Sequence, residues 1–248
     1  MRLRIANPAL TAVPFSSAQG TAAAPAPAMR IEGVATKGAL LLLALIAAGA
    51  IGWQRDPAWW ALLGASIAAA VVGGMARTRP ERAAVLAWPY VALQGYVYGA
   101  LSREFEARAP GLVRDALIVT LGALATLLLV YRLRLIRFDQ NVHALLACAI
   151  GGLAAVYAFT FVAGLFGATL PWMHEGSRWA IALSLYAVAA AAFNLVGDFD
   201  RIETAVTAGT PRALEWYAAF GLMVGLVWLY VEVLRLLFHV RRRKKGAT

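Results

Sequence analysis

The stretch ATKGALLLLALIAAGAIGW, from Ala35 to Trp53, decides the fold of this chain. It is almost entirely apolar, carries one charge near its start at Lys37, and stops abruptly at the polar turn Gln54-Arg-Asp-Pro. A bilayer core of about 30 Å needs about 20 apolar residues in an α-helix. We therefore predict that this stretch is a membrane-spanning helix.

Six further apolar runs follow, separated by short charged or polar turns. The third run contains Pro89, which membrane helices tolerate. Small residues recur inside the runs, at 64–70 and 187–192, and predict helices whose backbones approach closely. The chain is therefore expected to be an all-α integral membrane protein with a bundle of seven transmembrane helices. The seven runs are Ala35–Trp53, Trp59–Met75, Ala83–Leu101, Leu112–Tyr131, Val142–Gly167, Trp179–Ile202 and Ala213–Val240.

Composition supports the same class. Of 248 residues, 61% are hydrophobic and only 15% are charged. A soluble domain averages roughly 45–50% apolar and about 25% charged residues. A mean hydropathy of +0.68 therefore exceeds what a water-soluble core could bury. The lipid bilayer is the first partner that the sequence implies.

The basic residues indicate topology rather than nucleic-acid binding, which we do not expect. The net charge is +10, but most Lys and Arg lie at the ends of the apolar runs. Their distribution favours a cytoplasmic N-terminus, and the clusters 77–82 and 132–137 then face the same side. Seven crossings would place the basic C-terminal tail outside. Either this tail is an exception, or one run is re-entrant.

Outside the runs we predict two tails. Residues 1–34 are rich in Ala and Pro and lack the continuous apolar region of a secretory signal, so we expect a disordered N-terminal tail. The transmembrane domain is expected over 35–240, and a basic C-terminal tail over 241–248. The lone Cys148 cannot form an intrachain disulfide, and the three histidines have no metal-ligand spacing.

Two carboxylates are the main candidates for function. Asp198 and Glu232 lie in the last two runs, where charges are costly and functional by default. If they meet in a water-poor interior, they cannot both be charged easily, and the pair would share a proton near neutral pH. Ionised, they could bind Ca²⁺ transiently, although Ca²⁺ prefers 6–8 oxygens. Alternatively, each could form an ordinary surface ion pair with the arginine three residues later, Arg201 or Arg235.

Other polar residues could support this pair. Asn194 shares a helical face with Asp198, whereas Asp200 points elsewhere. Gln94 and Tyr98, four apart in the third run, could line a polar path or merely bond to neighbouring helices. The chain contains no Gly-x-Ser-x-Gly, His-Glu-x-x-His or phosphate-loop motif, so we expect neither an enzyme nor a bound cofactor.

Several stretches resemble the Bax inhibitor-1 (YccA-like, transmembrane Bax inhibitor motif) family, in its bacterial branch. The likeness covers nearly the whole chain, and its last two motifs are the most specific. The matching stretches are Asn7-Pro-Ala-Leu, Gly33-Val-Ala-Thr-Lys-Gly, Pro89-Tyr-Val-Ala-Leu-Gln-Gly-Tyr-Val-Tyr-Gly, Asn194-Leu-Val-Gly-Asp-Phe-Asp-Arg-Ile-Glu, and Glu215-Trp-Tyr continuing to Glu232.

The resemblance implies a fold, a function and a location. The fold has seven helices, with the last packed among the other six. The function is a pH-sensitive Ca²⁺ leak in the bacterial inner membrane, controlled by a carboxylate pair that the motifs carry onto Asp198 and Glu232. An arginine near the second and third helices would couple to the pair. Arg77, Arg79 or Arg82 could serve, without a secure assignment among them.

This chain departs from the implied pattern. The relatives described as leak channels have aspartate on both helices, but position 232 is the longer glutamate, and position 94 is glutamine where glutamate is frequent. These departures bear on Ca²⁺ permeability more than on the fold. The leading hypothesis is a proton-regulated cation pathway. The alternative is a membrane modulator of proteases or stress responses that docks through the tail containing Asn7-Pro-Ala-Leu.

Overall fold

The structure is a computed structural model that describes residues 27–133, 140–167, 170 and 176–245. The described residues form seven α-helices and two short 3₁₀ turns, at Pro80–Arg82 and Arg212–Leu214. All seven apolar runs are helical, as predicted. The helices are α1 (Ile31–Gln54), α2 (Trp59–Thr78), α3 (Ala83–Arg108), α4 (Leu112–Arg132), α5 (Gln140–Leu165), α6 (Arg178–Thr207) and α7 (Glu215–Lys245).

Six of these helices are long and apolar enough to cross a membrane. Among the described residues, the exception is α3, which the sequence analysis counted as a span. Proline, glutamine, tryptophan and three tyrosines lower the mean hydropathy of α3, so six candidate spans are found rather than the expected seven. The six establish an integral, multi-pass membrane protein. The spans that contain α6 and α7 are half buried, whereas the other four are at most 17% buried.

The chain divides into two compact units, which we describe separately. Unit 1 comprises the described residues within Phe105–Gly197 and Val227–Thr248. Unit 2 comprises those within Asn7–Glu104 and Asp198–Leu226. Most of the expected N-terminal tail, including Asn7-Pro-Ala-Leu, lies outside the described residues, as do the last three residues of the C-terminal tail.

In unit 2, an extended segment holds the start of α1 beside the start of α7. The Met29 amide donates to the Thr210 carbonyl at 2.7 Å, and the Arg212 amide donates to the Pro27 carbonyl at 2.8 Å. Met29 itself is buried in the core of the unit. These contacts let α1 begin at Ile31, four residues before the predicted start of the first span.

The α1–α3 contact in unit 2 depends on glycine. A Cβ at Gly99 would lie 2.8 Å from the Cα of Gly49, and one at Gly95 would lie 2.9 Å from the Cβ of Ala48. Gly95 and Gly99 have the four-residue spacing that lets membrane helices approach closely. Of the two small-residue stretches singled out earlier, 187–192 contains three buried alanines, but a Cβ at Gly64 would meet nothing within 4 Å.

In unit 1, the C-terminal end of α7 holds the turn between α3 and α4. Arg241 donates to the Pro110 carbonyl at 2.8 Å and to the Asp115 carboxylate. The turn requires Gly111, whose φ of +78° is left-handed. Phe105 and Phe238 pack edge to face beside it, with 5.0 Å between ring centres. The basic end of α7 is therefore an integral part of this unit.

Candidate functional site

Asp198 is a fully buried carboxylate within the candidate span formed by α6. Its Oδ1 accepts a hydrogen bond of 2.7 Å from Nη1 of Arg201, which is 7% exposed. The two residues are three apart, so the helix places them on the same side. Both members of this ion pair lie in unit 2.

Glu232 is the corresponding carboxylate of α7, in unit 1, and it is 2% exposed. The hydroxyl of Tyr157 on α5 donates to it at 3.1 Å, and the indole nitrogen of Trp228 donates at 3.3 Å. Nη1 of Arg235 donates at 3.4 Å, and its guanidinium lies 4.9 Å from the ring centre of Tyr157. Three donors from two helices thus surround this carboxylate.

The ion pairs that the sequence offered as an alternative are therefore present, and both of their carboxylates are buried. Arg201 is buried with its carboxylate, whereas the Arg235 side chain is 38% exposed. Surface ion pairs contribute little stability because water screens them. A buried carboxylate instead depends on its partner, since leaving the charge unpaired is strongly unfavourable. Whether Asp198 and Glu232 act together stays a prediction.

The other predicted site residues have diverse surroundings. Asn194 is 2% exposed, and Asp200 and Tyr98 are half-buried. The three candidate coupling arginines, in the last turn of α2 and in the turn that follows it, are exposed. Gln94 donates to the hydroxyl of Tyr90 at 3.2 Å, one turn earlier on α3. Tyr90 packs against Phe220 in the core of unit 2. The coupling arginine stays unassigned; its candidates are Arg77, Arg79 and Arg82.

Two partners of Glu232 were missed by the sequence analysis. Trp228 precedes Glu232 by four residues, so helical spacing could have indicated it. Tyr157 lies 75 residues away, and an aromatic residue in an apolar run looks like ordinary core or lipid-facing packing. No local pattern distinguishes it.

A third buried carboxylate, Glu215 in unit 2, lies in one of the stretches that carry the family resemblance, and its ion pair is not predicted by the sequence. It accepts a hydrogen bond from the Arg30 amide at 3.0 Å and pairs with Nζ of Lys37. Arg212 Nε lies 3.8 Å from the same carboxylate. Gly33 provides the room, because a Cβ there would overlap the carboxylate. The start of α7 is thereby tied to the first turns of α1.

The chemistry available to the site is that of buried carboxylates rather than of a preformed metal centre. Within the described residues, no group of three or more His, Cys, Asp or Glu side chains could hold a metal ion. A buried carboxylate must be neutralised by an arginine, a proton or a cation, and here each of the two accepts a hydrogen bond from an arginine.

Comparison with known proteins gives one match, to a protein family, and it covers most of the chain. The model of the family described as Bax inhibitor 1 like matches residues 7–242, which include both carboxylates and all seven helices except the last three residues of α7. No curated protein and no solved structure matches significantly. The match confirms the family suspected from the motifs. This chain, with its candidate membrane spans, belongs to the Bax inhibitor 1 like family.

Proposed function

We propose that the protein is a pH-sensitive leak pathway for cations, with Ca²⁺ as the expected ion, in which Asp198 and Glu232 are the gating carboxylates. We place it in the bacterial inner membrane, with the N-terminus in the cytoplasm. The observation that carries the proposal is that both carboxylates are buried within candidate membrane spans. Ionisable groups at such depth are costly and are kept for ion or proton pathways.

The pH dependence follows from what a carboxylate offers in each protonation state. Ionised, Asp198 and Glu232 present oxygen ligands to a hard cation and attract it into a low-dielectric path. Protonated, they lose this attraction and favour a closed packing. Cation flux therefore rises as pH rises through the range in which these groups lose their protons.

At each carboxylate, the arginine partner competes with an entering cation. Arg201 and Arg235 neutralise the ionised forms, so an entering cation must share or displace a guanidinium. A bidentate or well-buried arginine pair is stronger than an exposed one. Arg201 lies nearer its carboxylate (2.7 Å) than Arg235 does (3.4 Å), but Glu232 also accepts hydrogen bonds from Tyr157 and Trp228. A cation at Asp198 therefore competes with one close guanidinium, and a cation at Glu232 competes with three weaker donors.

The test is Ca²⁺ uptake into liposomes that contain the full-length protein, measured with an internal indicator across acidic to mildly alkaline pH. Uptake is expected to increase with pH. Asp198→Asn and Glu232→Gln mimic the protonated groups, so each should hold uptake low and flatten its pH profile. Glu81→Gln, which removes an exposed carboxylate from the turn before α3, should leave the profile unchanged.

Two results would refute the proposal. One is the absence of protein-dependent uptake at every pH, with circular dichroism showing a folded protein in the liposomes. The other is a pH profile that neither Asp198→Asn nor Glu232→Gln alters. If the double variant merely adds the effects of the single variants, the two carboxylates gate independently rather than as a coupled pair.

A further inference from the structure

A cleft of about 740 Å³ opens in unit 2 where α1 and α7 begin. It is lined by the segment before α1, by one face of α1 and by the first residues of α7. A second cleft, of about 430 Å³, shares Arg30 and Glu32 with it. Because α1 and α7 belong to candidate spans that start here, we expect the larger cleft to face a membrane surface.

The residues that line the cleft carry more positive than negative charge. Lys37 and Glu215 neutralise each other, and Nε of Arg212 lies 3.8 Å from the same carboxylate. Arg30 and Arg212 also line the cleft, and both are exposed, so their guanidinium groups are accessible to a ligand. Glu32 offsets one of these two charges. A net positive charge therefore faces the cleft, with guanidinium groups that suit a phosphate.

The opposite part of the cleft is apolar. Leu40 lies ten residues after Arg30, which along a helix corresponds to about 15 Å. The headgroup region on each side of a bilayer is only about 5–7 Å deep. Trp216 also lines the cleft, with Nζ of Lys37 located 5.6 Å from its ring centre. The cleft thus reaches from headgroup depth into acyl-chain depth.

We propose that this cleft binds one glycerophospholipid, with its phosphate on Arg30 and Arg212 and the beginning of an acyl chain beside Leu40 and Trp216. A free phosphate would use only the charged mouth of the cleft. A neutral lipid would use only the apolar part. The combination selects a molecule that carries both groups, and basic pockets between membrane helices bind phospholipid headgroups in this way.

The experiment is native mass spectrometry of the full-length protein, released from neutral detergent and titrated with dioleoyl phosphatidylglycerol. One lipid is expected to bind saturably. Dioleoylglycerol, with identical chains and no phosphate, should bind more weakly, and inorganic phosphate, which can use only the charged mouth of the cleft, should compete only weakly. The variant R30Q/R212Q should weaken phosphatidylglycerol binding about 25-fold, since each arginine near a membrane surface contributes about 1 kcal/mol, or about five-fold.

The matched control is Arg55→Gln, which removes an exposed arginine from the opposite end of α1 and should leave the affinity unchanged. Equal weakening by Arg55→Gln and R30Q/R212Q would overturn the site, because it would indicate attraction by net charge alone. Unchanged affinity in R30Q/R212Q, equal binding of dioleoylglycerol, or full competition by inorganic phosphate would each overturn it as well. None of these outcomes depends on ion flux.

Discussion

The ion pair between Lys37 and Glu215 gives the sharpest test of how unit 2 is held together. The Glu215 side chain is 1% exposed and that of Lys37 is 16% exposed. Replacing Glu215 by glutamine keeps the shape but leaves the ammonium group of Lys37 without its counter-charge. Removing one partner of a buried pair typically costs about 3–5 kcal/mol. Because water still reaches Lys37, we expect Glu215→Gln to lower the free energy of unfolding by about 3 kcal/mol, the lower end of that range.

The double variant makes the prediction specific to the pair. Lys37→Met should also lower the free energy of unfolding by about 3 kcal/mol. It leaves the buried Glu215 carboxylate with only the Arg30 amide and the more distant Arg212 as partners. Lys37→Met together with Glu215→Gln leaves no buried charge unpaired. We therefore expect the double variant to lose much less than the sum of about 6 kcal/mol for the two single variants, because no buried charge is left unpaired.

The assay is reversible unfolding in mixed micelles, titrated with dodecyl sulfate and followed by circular dichroism. Glu32→Gln is the matched control, since it removes an exposed carboxylate from the first turn of α1. The reasoning is refuted if Glu215→Gln behaves like this control. It is also refuted if the single losses simply add in the double variant, because residues in direct contact should couple.

Three further predictions concern other contacts. Tyr157→Phe removes a hydrogen bond to the Glu232 carboxylate and should cost about 1.5–3 kcal/mol in the unfolding assay, as bonds to charged groups do. Gly99→Ala should cost about 1–3 kcal/mol by overpacking the α1–α3 contact, whereas Gly74→Ala, with open space around it, should not destabilise. Arg241→Gln frees the turn between α3 and α4 and should speed amide hydrogen exchange at 109–115.

Each of these has a result that contradicts it. Tyr157→Phe with unchanged stability and an unchanged pH profile of Ca²⁺ uptake would show that the phenol does not support Glu232. Equal effects of the two glycine variants would point to helix propensity rather than to close packing. For Arg241, the matched control is Lys244→Gln on an exposed side chain near the end of α7; equal exchange in both variants would exclude a specific contact.

Much of the fold could be predicted because hydropathy directly reports the environment of a membrane helix. All seven apolar runs became helices, with boundaries shifted by a few residues. The start of α1 moved to Ile31 because the segment before it bonds to residues 210 and 212, a contact that no local pattern indicates. The α3 run was counted as a span by its length, although its aromatic and polar residues leave it short of the hydropathy of the other six.

The candidate site was only partly predictable. Asp198 and Glu232 were identified because a charge within an apolar run is conspicuous, and their arginine partners followed from helical spacing. Glu215 was not singled out, because an acidic residue in the first turn of a helix is an ordinary partner of the helix dipole. Only the fold brings Lys37, 178 residues earlier in the chain, against it. Long-range contacts of this kind carry no signature in one sequence.

Infrared difference spectroscopy of the protein in lipid bilayers tests the gating account most directly, because it observes protonated carboxyl groups themselves. The account predicts that a carboxylic-acid band appears on acidification over the pH range in which Ca²⁺ uptake falls, and that Asp198→Asn combined with Glu232→Gln removes the part of this band that the two buried groups contribute. A difference spectrum over that range that is identical in the wild-type protein and in the double variant would contradict the account.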